Sequence, residues 1–331
     1  MFIDRKPLAI FAGIVCFVAA TAAAAQTKSV RIGMADTLSA ENLVEAIAFA
    51  NAEKRGVQVK LIPLKSDDIT FQAVVGNEID IGIGDAYKMI HTLKAPIRHF
   101  YQLRRLGYFP VVNKEFYKSW KDLDGHDMVV HSRGSGTEAL ARLMEKVHGI
   151  KYAQVSYVPG SQVRAVAMER GNIKVTYLDL ANTRRLTTGP MASKFMVLPA
   201  GGQSASDEIL YATTDYIAAN QDVIQVLLEE ILKATRAVNA DYHFADRERE
   251  RLGLLKDLPP KMIEETNPYF EQAVAAGLFP NDGGGESAAR ADLEFLILAG
   301  RLQGKASDMN LADFWDFGPL KKARAAPGPA K

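Results

Sequence analysis

An α/β fold built as two strand–helix units is what this sequence predicts, and three observations predict it. Strand-like and helix-like segments alternate from Val30 to Leu103, which argues a parallel sheet covered by helices. The alternation resumes from Asp127 to Ala212 without repeating the first unit's sequence. Each unit also holds one junction where a strand runs through a small polar loop into a helix start. Val30–Asp36 leads into Thr37-Leu38-Ser39, and His126–Val130 leads into His131-Ser132-Arg133-Gly134-Ser135-Gly136-Thr137-Glu138. Helix N-termini present unpaired N–H groups and a positive dipole end, so two such ends suggest a cleft that closes on a small anionic solute.

The elements follow in order. Val30–Asp36 is a strand. Glu41–Arg55 carries Leu43, Val44, Ile47, Ala48 and Ala50 at helical spacing and stops at Gly56. Val57–Ile62 is a second strand, Ile69–Val75 a helix ended by Gly76-Asn77, and Ile79–Ile83 a third strand. A helix from Tyr87 to Leu93 and an extended stretch from Pro96 to Leu103 complete the first unit. In the second, strand Asp127–Val130 precedes helix Thr137–Val147, which His148-Gly149 bounds. Strand Val155–Val158, helix Gln162–Arg170 and strand Val175–Leu178 come next, then strands at Phe195–Leu198 and Ile209–Ala212. The last third reads as helices over Asp222–Val238, Pro260–Ala275 and Ala288–Leu302, with the loop Asp282–Gly285 between two of them.

Arg5 and Lys6, the apolar run Leu8–Ala20 and the small residues Ala23-Ala24-Ala25 form the pattern of a cleaved secretory signal peptide over residues 1–25. An uncleaved anchor is the alternative. Cys16 is the only cysteine and lies in that run. The remaining chain therefore has no disulfide, thiolate nucleophile or zinc-cysteine site. About 305 residues remain, enough for roughly two domains. The formal net charge of +1 leaves no basic excess for nucleic acid or anionic lipid.

Ser135-Gly-Thr-Glu138 is a capping box, which either caps a helix or surrounds a ligand group together with Ser132. Gly134 and Gly136 permit close backbone approach. Thr37, Leu38 and Ser39 sit beyond a strand's carboxyl end, where open α/β sheets hold ligands. Arg133 could pair with a carboxylate or sulfonate. Asp85 and Asp179 follow strand ends and could bind an amine, so that with Arg133 they would recognise a zwitterion. Tyr87, Tyr108 and Tyr177 could supply walls with a polar tip. Gly82-Ile-Gly84 begins like a dinucleotide fingerprint but lacks the third glycine, and neither a P-loop nor a metalloprotease motif is present. Nothing supports a metal or cofactor.

The pattern resembles the type II periplasmic solute-binding proteins of ATP-driven importers. It is most similar to the branch of alkanesulfonate, taurine, nitrate and thiamine-precursor binding proteins. The residues that carry the resemblance are Val30-Arg-Ile-Gly33, Gly76–Gly82, Trp120–Gly125 before a strand, Ser135-Gly-Thr137, helix Asn220–Val238 and the closing Asp313-Phe-Trp-Asp316. It implies a two-lobed α/β protein, each lobe a mainly parallel sheet flanked by helices. Lobe 1 would comprise residues 26–109 and 214–325, lobe 2 residues 110–213, and residues 326–331 a flexible tail. The chain would cross near Gly107–Val112 and return near Ile209–Thr214. Thr37, Leu38, Ser39, Asp85 and Ala86 would face Ser132, Arg133, Gly134, Ser135, Gly136, Thr137 and Asp179 across the cleft, with Tyr108 beside it.

The implied function is capture of a small organic anion or zwitterion in the periplasm by a monomer. Lobe closure would then deliver it to an inner-membrane permease with its ATPase. Two alternatives stay open: a ligand sensor for a membrane receptor, or an enzyme like the thiamine-pyrimidine synthases. The secretion signal and the missing cysteine argue against the enzyme.

Overall fold

The computed structural model describes residues 27–35, 40–200, 205–257 and 259–326. The expected signal peptide, the loop residues Thr37, Leu38 and Ser39, and residues 327–331 of the expected tail lie outside these. Alternating apolar residues build β1 (Lys28–Met34), whose Val30 and Ile32 are fully buried. The stripe Leu43, Val44, Ile47, Ala48 makes α1 (Leu43–Glu53) a core helix, and β2 (Val57–Pro63) returns parallel to β1. Ser66 caps α2 (Asp67–Val75) by accepting from the Ile69 N–H. Next come β3 (Ile81–Gly84), α3 (Tyr87–Leu93) and β4 (Ile97–Arg105).

Leu106–Tyr108 carries the chain to β5 (Phe109–Asn113) of a second sheet. The second unit adds β6 (Met128–Val130), α4 (Gly136–His148), β7 (Val155–Tyr157), α5 (Ser161–Glu169), β8 (Val175–Leu178), α6 (Leu180–Thr188) and β9 (Phe195–Val197). Its sheet runs β7-β6-β8-β5-β9. Then β10 (Ser206–Thr213) returns to the first sheet, whose order is β2-β1-β3-β10-β4, and pairs antiparallel with both β3 and β4.

The first crossing falls at the amino end of the expected Gly107–Val112, whereas the return comes earlier than expected. Val111 and Val112 are already paired with β8 inside the second sheet. The return precedes Ser206 instead of falling near Ile209–Thr214, so residues 206–213 belong with lobe 1. The apolar run Ile209-Leu-Tyr-Ala212 is equally compatible with either sheet; pairing decides it, and pairing is not local.

The helical last third covers lobe 1. After the short α7 (Thr214–Ala219), α8 (Gln221–Ala240) buries Val223, Ile224, Leu227, Leu228, Ile231 and Val238 along one face. That face packs on α1. Burying one such side chain contributes about 1.5–3 kcal/mol. The chain continues with α9 (Phe244–Leu252), α10 (Pro260–Glu264), α11 (Thr266–Ala275), α12 (Glu286–Leu298) and α13 (Gly318–Ala325). The predicted helix 260–275 is thus two helices, broken at Glu265. The Asp313–Asp316 stretch lies along β4: the His99 N–H donates to the Phe314 carbonyl and the Asp316 N–H to the His99 carbonyl, each at 2.8 Å. Among the described residues no helix is long and apolar enough to cross a membrane.

Candidate functional site

In both sheets the parallel strands point their carboxyl ends at the other lobe, the position where open α/β sheets place ligands. A cavity of about 600 Å³ lies between them. Lobe 1 lines it with Glu41 and Asn42 ahead of α1, Arg104 at the end of β4, Tyr108 in the crossing, and Glu208 on β10. Lobe 2 lines it with His131 after β6, Ser161 and Arg164 on α5, and Asp179 ahead of α6.

Arg104 organises the lobe 1 wall. It is 4% exposed; Nη1 donates to the Glu41 carbonyl at 2.6 Å and Nη2 meets Glu208 Oε2 at 2.6 Å. Burial among these carboxylates disturbs their titration. Burial pushes the Glu45 carboxyl up to about 7 despite Arg104, and pushes Asp207 up to about 6 although Arg104 and the Tyr108 hydroxyl favour its charge. Glu41 is pushed well above the usual carboxylate range, first by burial and then by the negative charge of Asp179.

The lobe 2 wall is held by caps. Asp179 Oδ1 accepts from the Asn182 N–H at 2.7 Å, which starts α6. The Asp179 N–H donates to Ser161 Oγ at 3.0 Å. Arg164 is fully buried and donates to the Tyr177 carbonyl through Nε and Nη2, at 3.2 and 3.1 Å, and to the Val158 carbonyl at 2.8 Å. His131 Nδ1 accepts from the Gly160 N–H at 3.1 Å, so the proton of its neutral ring sits on Nε2.

Of the described residues expected at the site, Tyr108 and Asp179 line this cavity. Ser132, Gly134, Ser135, Gly136 and Thr137 gather at a neighbouring contact where the lobes meet. Ser132 Oγ donates to Asp67 Oδ2 of α2 at 3.0 Å. Ser135 caps α4, accepting from the Glu138 N–H at 3.3 Å and donating to the Ser132 carbonyl at 2.8 Å. Thr137 Oγ1 accepts from the His131 N–H at 2.9 Å. Gly134, at φ +93, donates its N–H to Glu138 Oε2 at 2.8 Å, and Glu138 is ion-paired with Arg301, which follows α12. Gly136 leaves room for Leu106, whose Cδ1 lies 2.8 Å from where a Cβ would stand.

Arg133 is exposed, with its guanidinium 5.3 Å from the Tyr157 ring centre. Asp85 Oδ1 accepts from the Tyr87 N–H at 2.9 Å, and burial pushes its carboxyl up to about 7. Ala86 is fully buried and donates its N–H to His99 Nε2 at 3.3 Å. A third contact between lobes joins Arg184 to Glu265 at 3.6 Å.

Sequence reasoning missed Glu41, Arg104, His131, Ser161, Arg164 and Glu208. Arg104 and Glu208 stand in strands, where period-two patterning describes the backbone and says nothing of a charge pair made across strands. Ser161 could have been found, because it follows Pro159-Gly160 at the start of a helix.

The profile of the family described as “NMT1/THI5 like” matches residues 52–242, more than half of the chain. No curated protein matches it. Several solved structures share the fold. A Bordetella bronchiseptica protein is 19% identical, with a TM-score of 0.72 over 89% of this chain and 96% of its own. The alkanesulfonate-binding protein of Xanthomonas axonopodis pv. citri, bound to MOPS, is 15% identical, with a TM-score of 0.64 over 85% and 96%. The periplasmic nitrate-binding protein of Synechocystis PCC 6803 is 12% identical, with a TM-score of 0.66 over 90% and 88%. At these identities the likeness establishes the two-lobed fold of periplasmic binding proteins, with a five-stranded mixed sheet in each lobe.

Proposed function

This chain belongs to the NMT1/THI5-like family, and from that premise we propose that it is the solute-binding component of an ABC importer. In this reading the chain is secreted through its N-terminal signal and works in the periplasm as a monomer. It captures a small organic solute between its lobes and presents the closed form to a membrane permease and its ATPase.

One observation carries the reading: a cavity of about 600 Å³, the size of small-molecule sites, is lined from both lobes at the carboxyl ends of both sheets. A solute there touches both walls only when the lobes are together, so binding favours closure by its differential affinity for that state. The crossing Leu106–Tyr108 between the sheets is a point where such a motion bends the chain.

Small-angle scattering and thermal unfolding, with and without solute, test this. A bound solute raises the unfolding midpoint, by about 2.7 kcal/mol of stability at a hundred times its dissociation constant, and shrinks the radius of gyration. A solute that stabilises the protein without changing its dimensions, in a chain already compact when stripped, points to a rigid receptor and not to a closing importer component.

A further inference from the structure

A second cavity, of about 630 Å³, shares no lining residue with the first. Its walls come from both lobes. Lobe 2 contributes Arg142 and Lys146 of α4 and Lys151 beyond it. Lobe 1 contributes Lys88 of α3 and Arg301, which follows α12. Asp292 keeps α12 with lobe 1, because it accepts from the Ser206 N–H at 2.6 Å and from the Tyr87 hydroxyl at 2.8 Å. Cationic side chains thus converge on one space from two directions.

Two carboxylates share the lining, and both are committed. Glu138 accepts from the Tyr157 hydroxyl and the Gly134 N–H, each at 2.8 Å, beside its ion pair with Arg301. Glu145 accepts from Arg142 and from the Tyr152 N–H, each at 2.9 Å. Each carboxylate therefore answers one arginine, and the charge of the three lysines is left over. Lys146 donates to a neutral group, the Leu298 carbonyl, at 2.8 Å. Gly300, at φ +75, makes room for it: a Cβ there would stand 3.0 Å from Lys146 Nζ. The Arg301 guanidinium, then burial and Arg133, hold the Lys88 ammonium below the usual lysine range, with Asp68 opposing. Like charges gathered at a concave surface raise its potential, and a multiply charged anion relieves it.

Spacing favours such an anion over a simple one. Arg142 and Lys146 lie four residues apart on α4, about 6 Å along its axis. Lys88 stands on the facing wall. A monovalent group reaches one of these positions, whereas a chain of anionic groups reaches both walls. We propose that this cavity is a second binding site, for a small soluble polyanion of the oligophosphate or tricarboxylate kind. Its negative groups bridge Lys88 of lobe 1 to Lys146 and Lys151 of lobe 2. The concave shape suits a small molecule, because a flat lipid surface would meet only the rim. Gripping both lobes, the polyanion favours their closed arrangement. The site goes beyond capture of a solute in the first cavity and does not depend on it.

The test uses the purified protein, dialysed free of phosphate. Tripolyphosphate and citrate are titrated in by calorimetry and compared with monovalent methanesulfonate. One polyanion at least is expected to bind at one per chain, at least about tenfold tighter than methanesulfonate. The double variant Lys88→Gln with Lys151→Gln is expected to weaken it at least about tenfold, the size of a lost charge-assisted hydrogen bond. Lys60→Gln with Lys321→Gln removes the same charge from exposed positions outside the cavity and is expected to change affinity less than about twofold. All four lysines are exposed, and unliganded unfolding midpoints show that both variants fold. No binding of either polyanion, or equal weakening in the two double variants, overturns the site. Binding to phosphatidylglycerol vesicles without binding to either soluble polyanion overturns it as well. None of these failures touches the solute cavity.

Discussion

Asp67 and Ser132, 65 residues apart in sequence and on opposite lobes, are joined by a 3.0 Å hydrogen bond between buried side chains. The serine belongs to the loop that resembles a ligand cradle, yet its hydroxyl is spent on the facing lobe. Ser132→Ala leaves Asp67 Oδ2 without this donor. The expected loss is about 1–3 kcal/mol from the closed state. Scattering on the stripped variant is expected to show a larger radius of gyration than the parent, and solute affinity is expected to fall with it.

Arg104→Met is expected to be far more damaging. It removes the cation beside Glu208 and the donor to the Glu41 carbonyl, and leaves buried carboxyl groups uncompensated. Breaking one side of a buried pair typically costs about 3–5 kcal/mol. Urea unfolding of Arg104→Met and of the double variant with Glu208→Gln checks this: the double variant should recover part of the loss, because the stranded charge is gone.

Stability is expected to rise as pH falls from about 7 to about 5. Burial raises Glu45 and Asp85 to about 7, Asp207 and Asp292 to about 6, and Glu41 well above its usual value. Each then binds more protons folded than unfolded in that window, so its contribution is complete below the unfolded value and is lost as pH climbs through the folded one. His99 works the other way. Burial lowers it to about 3, so its contribution is present above the ordinary histidine value and is lost as pH falls. Five carboxyl groups outweigh one imidazole. Unfolding midpoints at half-unit pH steps should peak near pH 5, and Glu45→Gln should flatten the slope.

Gly82→Ala should destabilise lobe 1 although it adds a single methyl group. A Cβ at residue 82 would stand 2.3 Å from Cζ of Tyr211, whose ring lies across the strand. Such overpacking typically costs about 1–3 kcal/mol. The double variant Gly82→Ala with Tyr211→Leu should recover part of it in thermal unfolding.

Much of the fold was legible because its signals are local. The α1 and α8 stripes, the Gly149 stop after α4 and the short apolar strands can all be read within a dozen residues. Less legible was α6, whose Leu-Ala-Asn-Thr-Arg-Arg-Leu-Thr-Thr buries only Thr183 and Leu186 and offers little periodicity. The sheet membership of β10 was not legible at all. Asp179 and Tyr108, expected from their places at a strand end and a crossing, line the cavity between the lobes. The Ser132–Thr137 loop shows the limit of motif reading: the same hydroxyls that could cradle a ligand instead cap a helix and fasten a lobe. The Gly82-Ile-Gly84 pair is likewise explained by packing, since Gly84 at φ +146 also lies against the Asp67 carboxylate.

The antiparallel insertion of β10 between β3 and β4 has a consequence for synthesis. A nascent chain ending at Arg105 holds four strands of the first sheet but lacks the one that joins β3 to β4. The first lobe cannot complete its core until the whole second lobe has emerged and the chain has come back. Long-range closures of this kind slow folding and leave strand edges open meanwhile. The lobe that begins first is therefore the one that finishes last, and a truncation at Leu198 should yield aggregating material instead of a half-sized domain.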